Sequence, residues 1–469
     1  MSSVRIAAAA LVACSACKDH APKATTVVLG QVLDRTGSIA TPSWTDSIRL
    51  AVGTANQALK QSGHGELRFE LADANSGNAP AMARDGALQV VRKGGAKAVI
   101  TDSSQDDIAI VSLAYDGDPA HELSVPVVCM ACTTPAIDDP VATDPDPVKQ
   151  AALRNSEGWN FRTTMSDAYQ SRVLAHLLTS GPAKGDANGD GHLKLAIYAS
   201  DDPYGRGFSQ TLANDVRQLA PGASVEQLFH DVKAVPAEYH WAADVGRLTD
   251  RRNETTGKVD GLPDAVVVIS FPKFEINFTR AWLDSGTGVR LVHTHNFRAT
   301  RVLEVLAAAV EGQEGTSQAV LGEGASARTF TEDLKALTGQ APAFRDAAAY
   351  DAAMTLMLAT IHAARRNHLA DAGQVTGAMV RDSMRAVNDP SGEPVDAGVA
   401  GFARAVQLIH EGRAVNYQGA SGPCDFDAHG DVVAQLARFH VHSGQFVDAE
   451  KYDCSRDREC PPLRQLGSK

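Results

Sequence analysis

Short runs rich in β-branched residues alternate with amphipathic stretches along most of this chain. TVVLGQVL, ELRFELAD, AKAVITD and VPVVCMA read as strands. Between them DSIRLAVGTANQALKQS, AMARDGALQVVRKGG and DIAIVSLAYD read as helices, with apolar residues spaced by three and four. This rhythm predicts a parallel sheet with helices on both faces. It pauses in the Asp- and Pro-rich segment DDPVATDPDPVKQAALRNSEGWNF and then restarts with four more helix–strand pairs, from DAYQSRVLAHLLTS to VRLVHTH. A further helical region, RDAAAYDAAMTLMLATIHAARR, precedes the hairpin signals of ARFHVHSGQFVDAEKY. The 469 residues are too many for one ordinary core. Two α/β lobes are therefore expected, with ligand chemistry between them, because loops at the carboxyl ends of parallel strands collect ligands. No short sequence repeat is visible.

The net charge of −12, with no block of Lys and Arg, argues against a nucleic acid or an anionic membrane surface as partner. At the N-terminus Arg5 precedes the apolar run Ile6–Ala13, which is too short to span a bilayer and reads as the core of a secretory signal. The tetrad Leu11-Val12-Ala13-Cys14 resembles a bacterial lipobox, which makes Cys14 the lipidation site and the membrane attachment. The alternative is a plain signal peptide cut nearby. Six further cysteines suit an oxidising compartment, and their pairing cannot be read from spacing. Cys454 and Cys460 are close enough to close a small loop. Cys129 and Cys132 form C-x-x-C, but the flanks read as strand then loop, with Pro135 soon after, unlike a thioredoxin-type motif.

No nucleophile elbow, zinc-protease, Walker or dinucleotide fingerprint occurs, so nothing singles out an enzyme. Asp186, Asn188, Asp190 and Gly191 open like a calcium loop, but position twelve is Ile197 and a strand follows, so a polar turn is the better reading. His293 with His295, and His440 with His442, have metal-compatible spacing on a strand, yet roles lining a ligand site or facing solvent are favoured. Trp159, Trp241 and Trp282 read as packing residues. Arg162 and Asp167 are read as pairing at a lobe crossing, with ligand contact as the alternative. Cys424, Asp425, Asp427, His429 and Asp431 crowd into eight residues and raise the question of a metal.

Taken together, several segments resemble the type I periplasmic solute-binding proteins, in the branch of leucine/isoleucine/valine-binding proteins and receptor ligand-binding regions. The resemblance rests on VVLGQVLDRTGSIATPSWTDSIRLAVGTANQA, KAVITDSSQ, VPVVCMACTTPAI, NFRTTMSDAYQSRVLAHLL, the Tyr204-Gly205 pair, the Tyr350–Ala352 helix and YQGASGPCDFDAHGDVV. Each motif is weak alone, but their order covers nearly all of the mature chain. It implies two Rossmann-like lobes joined by a hinge, with a ligand cleft between. The implied boundaries are a signal over 1–13, a lipidated linker over 14–26, lobe 1 over 27–160 and 323–432, and lobe 2 over 161–322 and 433–469.

By position, the resemblance places Trp44, Ser103, Ser104, Cys132, Thr133, Tyr204, Phe271 and Asn296 at the ligand. It implies an extracytoplasmic protein that captures a small organic molecule by hinge closure, with no bond chemistry, cofactor or metal, and hands it to a membrane permease of the ABC class. The HTHNFRAT stretch lacks the acid that amino-acid binders place there for an ammonium. Cys132, Phe271 and Phe274 also make the cleft less polar. The ligand is expected to be amino-acid-like, an amide, or something more apolar, with a sterol or lipid carrier, or a sensor without transport, as alternatives. The resemblance also reads Asn416–Val432 as a turn. In it Phe426 packs, Asp427 holds backbone N–H groups, His429 and Gly430 face solvent, and the Cys424 thiol is either free or bridged.

Overall fold

The computed structural model describes residues 25–114, 122–137, 150, 158–180, 185–187, 189, 191–249, 261–318, 321–322, 324–433, 435–454 and 460–462. Cys14, Cys17, Asn188 and Asp190 lie outside these residues. Two sheets organise the chain. The first comprises β1 (Thr25–Leu33), β2 (Leu67–Asn75), β3 (Val99–Thr101), β4 (Val127–Cys129) and β5 (Asn160–Arg162) in the order β2-β1-β3-β4-β5, all parallel. The second contains β6 (Lys194–Ser200), β7 (Ser224–His230), β8 (Ala265–Ile269), β9 (Arg290–His293) and β10 (Glu314–Gln318), parallel in the order β7-β6-β8-β9-β10. A small pair, β11 (Glu393–Asp396) and β12 (Val415–Gln418), follows. The hairpin β13 (Leu436–His442) and β14 (Gln445–Tyr452) then extends the second sheet antiparallel to β10. Its turn residues Ser443 and Gly444 have φ of 52° and 71°, the pair of positive angles a type I′ turn requires. β8 reads AVVVI and is buried at every position, as an interior parallel strand covered on both faces should be.

Each sheet reverses its strand order once, between β1 and β3 and between β6 and β8. Those are the switch points at which open α/β sheets leave a crevice beyond their carboxyl ends. The two sheets thus share one winding order, although no sequence repeat announces it.

The cores show where the chain crosses. One core joins Val27, Ile48, Phe69 and Phe161 to Phe330, Tyr350, Met354, Phe402 and Tyr417, so the segment 325–432 packs back on the first sheet. A second core is built on β6, β8 and β9. The chain therefore crosses between β5 and the helix Asp167–Thr179, between β10 and the helix Ala325–Thr338, and again before β13. Two crossings are bonded to each other. Thr164 Oγ1 donates to Gln318 Oε1 at 2.8 Å, and Gln318 Nε2 donates to the Met165 carbonyl at 2.9 Å.

The recognisable C-terminal motifs are structural. Asp351, fully buried on the helix Asp346–Arg366, accepts hydrogen bonds from Tyr417 Oη, from the N–H groups of Ala420 and Ser421 and from Ser421 Oγ, all at 2.6–2.9 Å. A Cβ on Gly419 would stand 2.4 Å from that carboxylate, which is why the turn carries glycine there. Asp427 Oδ1 accepts from the N–H groups of His429 and Asp431, and Phe426 packs edge-on to Phe161. Gly430 differs from expectation. It is buried, with φ of 86° and its Cβ position 2.2 Å from the Asn160 carbonyl, because its own carbonyl caps the Arg162 N–H at the end of β5. Arg162 also pairs differently from expectation. Its partner is Asp431, bidentate at 2.5 Å with both side chains buried, and not Asp167.

Candidate functional site

The two switch points face one cavity of about 640 Å³ between the lobes, a volume suited to a small organic molecule. Four segments of the first lobe build one wall. Asp34, just past β1, gathers the N–H groups of Thr36, Gly37 and Ile39 on its carboxylate and so curls the loop into the cleft. Any side chain at Gly37 would collide with the Gly77 carbonyl, 2.4 Å from its Cβ position. After β3, Ser103 caps the helix Ser104–Val111 by accepting from the Asp106 N–H at 3.2 Å. After β4, the loop carrying Ala131 and Thr133 follows. Phe344 and Arg345 enter from the segment before the helix Asp346–Arg366, and Trp44 Nε1 donates to the Phe344 carbonyl at 3.1 Å.

The second lobe supplies the opposite wall. Asp202 caps the helix Pro203–Leu219 through the Gly205 N–H, and a Cβ on Gly205 would sit 2.1 Å from the Ser200 carbonyl. That turn presents Tyr204, whose hydroxyl meets Thr294 Oγ1 at 3.1 Å. Phe271 follows β8, and Asn296 Nδ2 donates to the Ser270 carbonyl at 3.0 Å. The rings of Phe271, Tyr204, His295 and Phe344 succeed one another at centroid distances of 5.5, 5.3 and 6.0 Å, so one aromatic surface runs across both lobes. The lobes also touch beside the cleft. Thr134 Oγ1 donates to the Pro203 carbonyl at 2.8 Å, and a Cβ on Gly207 would stand 2.2 Å from that hydroxyl oxygen.

Charge is distributed unevenly. Lys273, Arg280, Arg301 and Arg345 line the cavity, whereas Asp102 is the one acid among its described lining residues. Burial, followed by the nearby Asp106, holds the Asp102 carboxyl well above the usual range and favours its neutral form. Arg345 is 7% exposed, and burial lowers its pKa to about 10, which leaves it charged at neutral pH. Its Nη1 donates to the Ala131 carbonyl, while Nε and Nη2 have no hydrogen-bond partner among the described residues. Asp167 faces it electrostatically without lining the cavity, and burial raises that carboxyl to about 7.

Of the residues expected at the ligand, Trp44, Ser103, Ser104, Thr133, Tyr204, Phe271 and Asn296 line the cavity. Cys132 does not. Its sulfur is bonded to Cys129, and the residue is fully buried in the apolar layer beneath the loop. Cys454 is bonded to Cys460, and Cys424 is a buried free thiol. His293 is held by Glu275 at 3.0 Å and Gln313 at 3.1 Å and stacks on Phe297, and burial lowers its pKa to about 3. His295 turns instead to Gln170 at 2.8 Å. Among the described residues Asp107, Cys129 and Cys132 have ligand atoms close enough for a metal, but both sulfurs are consumed in the disulfide. Sequence reasoning missed Arg345 and Phe344. The available signal was an arginine just ahead of a long apolar helix, which periodicity alone assigns to a cap.

No protein-family model matches the chain, and no curated protein matches it in sequence. Its shape, however, matches many solved structures. The leucine-binding protein LivK of Thermotoga maritima is 18% identical, with 91% of this chain and 98% of that one covered at a TM-score of 0.63. This is the type I periplasmic binding protein fold. A solute-binding protein of an ABC transporter from R. palustris, solved with benzoate, gives a TM-score of 0.64 at 13% identity over 94% of this chain and 98% of that one. LivJ of Streptococcus pneumoniae, solved with isoleucine, gives 0.59 at 16% identity over 90% and 100%. The α/β architecture matches these two-lobe structures, and in this chain the two switch points face one cavity.

Proposed function

We propose that this chain is an extracytoplasmic solute-binding protein. It captures one small organic ligand in the cleft, closes about its three chain crossings, and presents the ligand to a membrane permease of the ABC class. Cys14 carries its lipid anchor. The observation that supports the reading best is the cavity walled by the switch-point loops of both sheets, and its lining residues Trp44, Ser103, Ser104, Thr133, Tyr204, Phe271 and Asn296 are the ligand contacts we assign. A ligand held by both walls favours the closed arrangement by its differential affinity. Binding without turnover is supported by the serines. Ser103 Oγ caps a helix, Ser104 Oγ accepts from the Thr134 N–H at 3.4 Å, and neither has a histidine partner among the described residues.

A thermal-shift screen of amino acids, organic acids, amides, nucleosides and lipids tests the reading. A ligand at 100 times its Kd should stabilise the fold by about 2.7 kcal/mol. If no compound class shifts the transition, or if a stabilising compound is chemically converted, solute binding fails as the function. Cys14→Ala protein should leave the membrane fraction, and retention there would remove the anchor.

A further inference from the structure

The cleft wall holds a buried guanidinium with two open hydrogen-bond donors. Arg345 begins the helix Asp346–Arg366 with φ of 71°, a left-handed backbone angle uncommon for a non-glycine residue. That angle carries the side chain under the loop that follows β4, where one of its nitrogens meets the Ala131 carbonyl. Nε and Nη2 are buried with no partner among the described residues. Buried donors left open are costly, and the planar fork they form matches the two oxygens of a carboxylate. Phe344 stacks 4.9 Å from the guanidinium carbon and holds the fork in place. Asp167 couples electrostatically to the guanidinium without a hydrogen bond to it, and it does not line the cavity.

The rest of the cavity restricts what can carry that carboxylate. Trp44, Tyr204, Phe271, Phe344, Ile39 and Ile276 present apolar surface. An α-ammonium group would need an anionic neighbour. Asp102 is the only acid among the described lining residues; it already accepts the Asp34 N–H at 2.7 Å and favours its neutral form. Lys273 and Arg280 line the cavity on a chain of net charge −12, as does Arg301, which is paired with Glu304 at 3.1 Å, and the two lining cations outside that pair favour an anion at the mouth.

We infer that Arg345 is the specificity-determining residue of the cleft and that the ligand is a carboxylic acid with an apolar or aromatic body and no α-ammonium group. The inference rests on the solute-binding reading and adds the ligand's chemistry to it. The carboxylate takes the open donors of Arg345 while Thr133 and the serines after β3 offer hydroxyl groups, and the body lies along the aromatic surface shared by both lobes.

Matched probes test it by calorimetry on the purified protein: benzoate against benzamide, and 4-methylpentanoate against both 4-methylpentanamide and leucine. At least one acid should bind, its amide should bind at least about tenfold more weakly, and leucine should bind more weakly than 4-methylpentanoate. Arg345→Met should weaken the acid about 10- to 100-fold in protein that still folds by circular dichroism. Arg345→Lys, which keeps charge and loses the fork, should fall between. Amides binding as well as acids, leucine binding more tightly than its deaminated analogue, or unchanged acid affinity in Arg345→Met would each overturn the inference while leaving solute binding intact. Failure of every compound in the wider screen would remove solute binding itself and the inference with it.

Discussion

The buried pair of Arg162 and Asp431 gives the sharpest test of how the cleft is held. Arg162 is 1% exposed, ends β5, and spends Nε and Nη2 on the Asp431 carboxylate. Its remaining nitrogen donates to the carbonyls of Thr134 at 2.9 Å and Cys132 at 3.4 Å, the loop that carries Thr133 into the cleft. Asp431→Leu takes from the buried guanidinium its bidentate carboxylate, and breaking such a pair costs roughly 3–5 kcal/mol. Arg162→Met combined with Asp431→Leu removes both charges, and replacement of a buried pair by apolar groups is often neutral or stabilising. Urea unfolding of the unliganded protein, followed by circular dichroism and read as a midpoint shift at constant slope, should show a large loss for the single variant. The double variant should recover most of it. Ligand affinity should separate from stability, because the double variant still lacks the donor that fixes the Cys132 and Thr134 carbonyls. A single-variant loss below about 1 kcal/mol, or a double variant no better than the single, would refute the reasoning.

Gly207→Ala places a methyl against Thr134 across the lobes, so ligand affinity should fall severalfold while the unliganded melting temperature holds; an unchanged Kd would show that this contact does not govern closure. Asp351→Ala strips four hydrogen bonds from the 417–421 turn and should cost about 2–4 kcal/mol, measured by the same urea titration. His293, pushed by burial to about 3, and His230, to about 4, should show no NMR inflection between pH 5 and 8. Unfolded histidine takes up its proton near 6.5, so these two groups weaken the fold as pH falls from about 6.5 toward 4. Cys424, buried and far above its usual pKa through burial, should react with a thiol reagent only after unfolding; rapid labelling of the native protein would contradict its placement.

The alternation of apolar strands and amphipathic helices made both lobes legible, because β8 and its neighbours are buried on two faces and must be continuously hydrophobic. Most cleft residues were legible for a related reason. Loops at the carboxyl ends of parallel strands are fixed by topology, so the resemblance could carry Ser103, Thr133, Tyr204 and Phe271 to the cavity by position. What stayed hidden depends on contacts between residues distant in the chain. Asp431 is 269 positions from Arg162, so the nearer Asp167 looked like its partner. Cys132 was read as cleft-facing because spacing does not reveal which face of a loop a C-x-x-C bond turns inward. Arg345 escaped because its role depends on two donors left open among the described residues, which only three-dimensional placement can reveal.

The loop after β4 is held from several sides before any solute arrives. The Cys129–Cys132 bond closes its first turn, Arg345 holds the carbonyl of Ala131, and Arg162 holds those of Cys132 and Thr134. A receptor wall fixed in this way loses little conformational entropy when a solute docks, so most of the interaction energy is available as affinity. The same rigidity limits tolerance. Pliant, methionine-lined surfaces repack around many guests, whereas a wall pinned at three carbonyls transmits any misfit to its anchors. This cleft is therefore suited to discriminate among close analogues, with selectivity arising from how little the wall can yield.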